Sequence, residues 1–284
     1  MRPPQLPADL DDVVARALAE DVGPGDVTAD LVPPGCRAEA TVITREDAVL
    51  CGTAWFERVF AMLDPAVSIA WQAADGDPVA AGAELCRLAG PARPLLSGER
   101  TALNFLQSLS GTATLARRYA DAVAGTGCRV LDTRKTVPGL RSAQKYAVAC
   151  GGAANHRHGL FDALLIKENH IIAAGGLDQA LRAARARHPG LTLEIEVESL
   201  VELDLALAGE PDIIMLDNFD LAALREAVVR THRAPGAIRL EASGNVSLAT
   251  VRAIAETGVD YISVGELTKN LRAVDLSMRF RLEA

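Results

Sequence analysis

The sequence predicts an α/β protein in two parts, and three observations predict it. The first third alternates β-favouring runs with Asp-Gly and Ala-Gly turn signals. A long helical stretch follows and is closed by Gly125-Thr126-Gly127. Beyond it, six short apolar runs recur at roughly 20–34-residue spacing with helical patterns between them, the texture of parallel βα units.

Residues 10–20 (LDDVVARALAE) read as a helix opened by acidic residues, followed by a turn-rich stretch from Asp21 to Asp26. Residues 37–51 and 67–88 favour strands and are broken at Asp75-Gly76-Asp77-Pro78 and Ala81-Gly82, which predicts hairpins of an antiparallel sheet. Residues 98–123 carry apolar side chains at Leu103, Phe105, Leu106 and Leu109, a helical spacing. The six later strands are expected at residues 130–131, 163–166, 193–197, 213–216, 238–240 and 261–264. Helices are expected at 177–187, 200–207, 221–229 and 248–255. Six such units suit either a barrel or an open doubly wound sheet. No GxGxxG follows a strand, so a dinucleotide fold has little support.

Composition narrows the function. A chain of 284 residues holds one large domain or two modest ones. With 49% hydrophobic and 23% charged residues, it is neither disordered nor a disulfide-stapled miniprotein. A net charge of −8 argues against nucleic acid and against a polybasic membrane patch. Aromatics at 4% make a base-stacking surface poor. No run approaches the ~18 apolar residues of a spanning helix, and the start, MRPPQLPADLDD, lacks the apolar core of a secretory signal. The five cysteines (36, 51, 86, 128 and 150) form no CxxC, so buried, reduced thiols in a cytoplasmic protein are expected.

Polar residues follow every strand of the second part. They are Asp132-Thr133-Arg134-Lys135, Lys167-Glu168-Asn169-His170, Glu196 with Glu198, Asp217-Asn218, Glu241 to Asn245, and Gly265-Glu266. In a barrel the carboxyl ends of all strands share one rim, so these groups would surround one mouth. Each alone has a plainer reading, Asp217 or Glu241 as a helix N-cap or a solvated loop residue for example. Residues 191–198 (LTLEIEVE) alternate, with Glu194, Glu196 and Glu198 on one parity. A parallel strand covered on both faces is ordinarily apolar on both, so three carboxylates there point into a lumen that must neutralise them. An edge strand with one wet face is the alternative. Between Asp132 and His170, six cations (Arg134, Lys135, Arg141, Lys145, Arg157, Lys167) face three carboxylates, a net +3 inside an acidic chain. That segment also holds His156, His158 and His170. A locally cationic pocket implies a small polyanionic ligand. For His156-Arg157-His158, anion contact or core hydrogen bonding fits better than metal ligation, because no further His or Cys lies at ligand spacing. Ser243-Gly244-Asn245 and Ser263-Val264-Gly265 follow late strands and precede helical patterns, where backbone N–H groups suit a phosphate monoester.

These residues resemble quinolinate phosphoribosyltransferases. The resemblance is carried by GDVT (25–28), GERTALNFLQSLSG (98–111), DTRKTVPGLRSAQKYAV (132–148), GGAANHRHGLFDALLIKENHI (151–171), EVES (196–199), LDN (216–218), EASGN (241–245), ETGVDYISVGELTK (256–269) and DLSMRF (275–280). It runs end to end; Asn245 stands where the family often has glycine. The resemblance implies an N-terminal α/β sandwich domain (1–112) and an incomplete (β/α) barrel (113–284), with the C-terminal tail able to pack back on the first domain. It implies a homodimer, or a multiple of dimers, in which Arg100 reaches into the neighbouring chain's site. It implies phosphoribosyl transfer from phosphoribosyl pyrophosphate to quinolinate, with decarboxylation to nicotinate mononucleotide and with Mg²⁺ as cofactor. By the same resemblance Arg134, His156, Arg157 and Lys167, with Arg100, hold the dicarboxylate, Lys135 and Lys167 face the pyrophosphate side, and Thr133 contacts substrate. Lys135, Lys167, Glu196 and Asp217 would be catalytic, with Glu196 and Asp217 on the ribose hydroxyls and the metal. Ser243, Gly244 and Asn245, with Val264, Gly265 and Glu266, would cradle the 5′-phosphate. Two other readings compete: a homologous barrel protein of molybdenum transport operons, and a Schiff-base aldolase using Lys167.

Overall fold

The computed structural model describes residues 4–282, and within it the chain divides into two compact units. One comprises the segments through Arg117, Thr136–Gly152 and from Leu267 onward; the other comprises Arg118–Lys135 and Ala153–Glu266. The sequence reading places a single cut after residue 112, whereas packing interleaves the segments. The reason is burial: Ala143, Tyr146, Ala147 and Cys150 all belong to the core of the first unit.

In the first unit the elements are α1 (Leu10–Asp21), β1 (Arg37–Thr44), β2 (Ala48–Val49), α2 (Thr53–Leu63), β3 (Ser68–Trp71), β4 (Pro78–Val79), β5 (Glu84–Pro91), most of α3 (Ala92–Ala122), α4 (Arg141–Cys150) and β12 (Leu276–Leu282). Four strands make an antiparallel sheet in the order β12-β1-β5-β3. Every second residue of β1 is buried (Ala38, Ala40, Val42, Thr44), the period-2 signature of a sheet with one covered face. The antiparallel pairing expected within residues 67–88 forms between β3 and β5, but residues 37–51 close no hairpin of their own. The two strands of residues 37–51 join different sheets, β1 pairing β5 and β12 while β2 pairs β4. Helix α2 interrupts the strand-rich region because Trp55, Phe56, Val59 and Phe60 fall on one helical face and are fully buried. Trp55 packs on Tyr146 with ring centroids 5.2 Å apart.

The second unit carries β6 (Arg129–Leu131), β7 (Leu164–Ile166), α5 (Glu168–Ala174), α6 (Leu177–Arg187), β8 (Leu193–Val197), α7 (Leu200–Ala208), β9 (Ile213–Asp217), α8 (Leu221–Arg233), β10 (Arg239–Ser243), α9 (Val251–Ala255), β11 (Tyr261–Ser263) and α10 (Glu266–Lys269). All six expected strands are present and all pair in parallel, in the order β6-β11-β10-β9-β8-β7. That order decides between the two architectures. A doubly wound sheet reverses direction at a switch point. Here each strand from β7 to β11 lies beside its successor and the first strand lies beside the last, which is a barrel order left open between β6 and β7. Strand β8 is internal, flanked by β7 and β9, so the wet-edge reading of its glutamates is excluded.

Candidate active site

Parallel strands end on one rim, and the rim groups are built from the strand ends outward. Beyond β6, Asp132 is fully buried and accepts the His156 backbone N–H at 2.9 Å and the Asn155 side-chain amide at 2.7 Å. This fixes the 155–157 segment against the end of the first strand. The imidazole of His156 accepts the Arg157 N–H on Nδ1 at 2.8 Å, which leaves the proton on Nε2. That nitrogen stands 2.9 Å from the Glu194 carboxylate and 3.5 Å from Glu241. Glu241 is 0% exposed. Burial, and then the neighbouring Glu194 charge, push its carboxyl up to about 8. It is therefore neither the N-cap nor the solvated loop residue considered from sequence, and among the described residues Asp220 rather than Asp217 caps α8.

The guanidiniums gather beside this core. Arg157 is half-buried, and burial together with the adjacent Arg134 guanidinium lowers its affinity for its proton below the usual arginine value. Its Nη1 lies 3.4 Å from the Ala163 carbonyl. Asp162 accepts the N–H groups of His158 and Gly159, closing the turn that follows. His156 groups with Glu194 and Glu241 at ligand-like distances, and His158 is not part of that group.

At the end of β7, the Lys167 N–H donates to His170 Nδ1 at 3.0 Å, and the Lys167 ammonium pairs with Glu196 at the end of β8. Glu196 is half-buried, whereas Glu198 is exposed, its N–H bonded to Glu202 at 2.7 Å. Two of the three alternating carboxylates thus lie inside the barrel and the third does not, because the strand ends at Val197 and its alternation ends with it. Asp217 ends β9 and accepts from the Asn218 side chain at 2.7 Å.

The two candidate phosphate loops also take definite form. Asn218 sits in the left-handed region (φ 58°) and donates its N–H to the Ser243 carbonyl at 2.9 Å. Gly244 has φ +102°, and a Cβ there would lie 2.2 Å from Asn218 Oδ1. Asn245 follows at φ 47°, a conformation that asparagine accepts more readily than most residues and that glycine adopts freely. Helix α9 begins only at Val251, and α10 is a single turn. The first loop therefore offers backbone N–H groups from left-handed residues well ahead of α9, whereas the second runs directly into α10 at Glu266, as the sequence reading has it. A Cβ at Gly265 would touch Lys135 Cδ at 3.1 Å and Thr133 Oγ1 at 3.6 Å, so both side chains pass over that backbone. The Val264 N–H donates to the Leu131 carbonyl at 2.9 Å, joining this loop to the end of β6.

Comparison with known proteins decides the family. The quinolinate phosphoribosyl transferase C-terminal domain matches residues 112–279 and its N-terminal domain matches residues 26–110. The chain belongs to the quinolinate phosphoribosyltransferase family. It is 42% identical over 271 residues to a probable nicotinate-nucleotide pyrophosphorylase (carboxylating) of Synechocystis, covering 95% of this chain and 92% of that one. It is also 42% identical over 274 residues to the Mycobacterium leprae nicotinate-nucleotide pyrophosphorylase (carboxylating), covering 94% and 95%. The structure of the Francisella tularensis nicotinate-nucleotide pyrophosphorylase matches with TM-score 0.94 at 44% identity, covering 99% of each chain.

Of the residues expected at the site, Thr133, Arg134, Lys135, His156, Arg157, Lys167, Glu196, Asp217, residues 243–245 and residues 264–266 all lie in the second unit. Arg100 lies on α3 in the first unit, exposed, with Glu99 3.9 Å away. The His156 ring is held on Nδ1 by the Arg157 N–H and lies with Nε2 beside Glu194, so it shapes the segment that aims Arg157. Sequence reasoning left out Glu194 and Glu241 as anchors of that ring; their burial on neighbouring inward-facing strands is the signal, and alternation in residues 191–198 already hinted at it. The five cysteines are free thiols, as expected, with Cys36 half-buried and the others buried. No helix among the described residues is long and apolar enough to cross a membrane.

Proposed function

We propose that this protein transfers the phosphoribosyl group of 5-phosphoribosyl 1-pyrophosphate to quinolinate with loss of CO₂, giving nicotinate mononucleotide and pyrophosphate in NAD biosynthesis. The observation that carries this reading is that Asp132, at the end of the strand that Arg134 follows, fixes the 155–157 segment beside it, so that the Arg134 charge acts on Arg157. Two guanidiniums whose charges act on each other suit a ligand with two neighbouring carboxylates, which each fork can grip bidentately.

Quinolinate would lie with its carboxylates on Arg134, Arg157 and Lys167. The ribose ring would lie toward Glu196 and Asp217, and its 5′-phosphate on residues 243–245 and 264–266. The pyridine nitrogen forms its bond to the anomeric carbon as the bond to pyrophosphate breaks, and pyrophosphate leaves with the electron pair. Glu196 and Asp217 place carboxylate oxygen near the positive charge that develops on the sugar. Lys135, lying over Gly265, receives charge on the leaving group. The alkylated ring nitrogen then accepts electron density as the 2-carboxylate departs as CO₂, and the ring carbon takes up a proton. No side-chain nucleophile is required, and alignment of the two substrates supplies much of the rate.

The donor set suits magnesium: Glu196 and Asp217 end neighbouring strands and offer the hard carboxylate oxygens that Mg²⁺ prefers. When bound there with pyrophosphate, the ion supplies positive charge to the leaving group. We further propose that the working unit is a cytoplasmic homodimer, or a multiple of dimers, in which Arg100 completes the dicarboxylate site of the partner. The aldolase alternative is less well supported, because Lys167 ends on a carboxylate and not in the apolar pocket that activates a Schiff-base lysine.

Incubating the protein with quinolinate, phosphoribosyl pyrophosphate and Mg²⁺ tests the reading. Pyrophosphate and CO₂ appear in equal amounts, and free nicotinate is a poor substrate because one set of cations stays unpaired. Absence of both products, or release of pyrophosphate without CO₂, overturns it.

A further inference from the structure

Tyr119 is fully buried on α3, in the stretch that belongs to the second unit. Its hydroxyl donates to Glu266 Oε2 at 2.5 Å. Glu266 immediately follows Val264-Gly265, the loop assigned to the 5′-phosphate. A carboxylate beside a phosphate cradle is otherwise a liability, since two anions at close range repel strongly where water is excluded. The bond to Tyr119 aims that carboxylate into the protein, toward α3, and among the described residues no acceptor pairs with the backbone N–H groups of Gly244, Asn245 or Gly265.

We infer that Tyr119 is a positioning residue for the phosphate end of the site, holding the Glu266 carboxylate away from the bound phosphate. The inference rests on the reading that residues 243–245 and 264–266 receive a phosphate monoester. Tyr119 itself touches no substrate. Phenylalanine at this position keeps the ring and its packing and frees the carboxylate.

The experiment is a double-mutant cycle of Tyr119→Phe and Glu266→Gln, read by KM for each substrate and by calorimetric Kd for ribose 5-phosphate, which needs no turnover. Losing a hydrogen bond to a charged group is worth about tenfold in affinity. Y119F is expected to raise KM for phosphoribosyl pyrophosphate and Kd for ribose 5-phosphate by about that factor, and to leave KM for quinolinate within about twofold. In the E266Q background the same substitution is expected to change Kd by less than about twofold, because the repelling charge is gone. An equal loss in both backgrounds, or an equal rise in KM for quinolinate, overturns the inference by showing that Tyr119 only packs. If wild-type protein turns over quinolinate but Y119F binds ribose 5-phosphate as wild type does, this inference fails alone. If wild type binds ribose 5-phosphate and Y119F weakens it but no turnover of quinolinate occurs, the proposed activity fails and this inference stands.

Discussion

The Nε2 of His156 stands 2.9 Å from the Glu194 carboxylate, and the fully buried Glu241 completes the contact at 3.5 Å. Because burial pushes Glu241 up to about 8 while an unfolded carboxyl stays near its ordinary value, the folded protein binds the extra proton more tightly. The linkage then has one sign. Stability from this group is fully present at pH 4.5 and below, declines as pH rises, and levels off above about 8. Urea unfolding from pH 5 to pH 9 should show this decline in the wild type and a flatter profile in Glu241→Gln, which carries no ionisable group there. Parallel profiles in the two proteins would show that the cluster is neutralised in some other way.

Arg134→Ala separates the two halves of the site. Removing one guanidinium of a pair that grips a dicarboxylate is expected to weaken quinolinate on the order of 100-fold. The sugar phosphate is proposed to rest on other loops, so its KM should change by less than about threefold. Steady-state kinetics with each substrate varied in turn reads the difference, and an equal loss on both would move Arg134 out of the dicarboxylate pocket.

Much of this was legible in the sequence, and the reasons are local. The six strands of the second unit were visible because a covered parallel strand is a short apolar run, and the polar groups after each run sit on one rim by the geometry of parallel pairing alone. The start of α3 was not visible, because Pro94 reads as a breaker although the first turn of a helix tolerates it. Helix α2 was lost among β-favouring aromatics. The pairing of β1 with β12 joins residues more than 230 positions apart, and no local pattern reports such a partner. Tyr119 carried no signal either: one tyrosine on a long amphipathic helix reads as core until its hydroxyl is seen on Glu266. Of the three glutamates in residues 191–198, parity located two, and only the observed end of β8 at Val197 excludes Glu198.

The shared-site proposal has a complementation test. Arg100→Ala and Lys167→Ala should each be nearly inactive as homodimers. Mixed heterodimers, unfolded and refolded together and purified by two different tags, contain one site with both wild-type residues if Arg100 acts across the interface. Activity should recover toward about half per dimer, because non-interacting sites behave independently. Verified heterodimers without recovery would mean that each chain supplies its own Arg100, or that Arg100 is not part of the site.

Gly244→Ala probes the phosphate loop without removing any side chain proposed to contact the substrate. At φ +102° an added Cβ costs roughly 1–3 kcal/mol of backbone strain. It also points at Asn218 Oδ1 only 2.2 Å away, so the Asn218 side chain, bonded to Asp217, must leave its place. Both ends of the sugar phosphate should suffer: the loop loses the shape that presents its N–H groups, and Asp217 loses the amide that orients it. The expected result is a rise in KM for phosphoribosyl pyrophosphate of tenfold or more on the scale of that strain, with a lower kcat and a KM for quinolinate that moves little. A variant that folds, as judged by its melting temperature, and that keeps wild-type affinity for ribose 5-phosphate would show that the phosphate binds elsewhere on the rim.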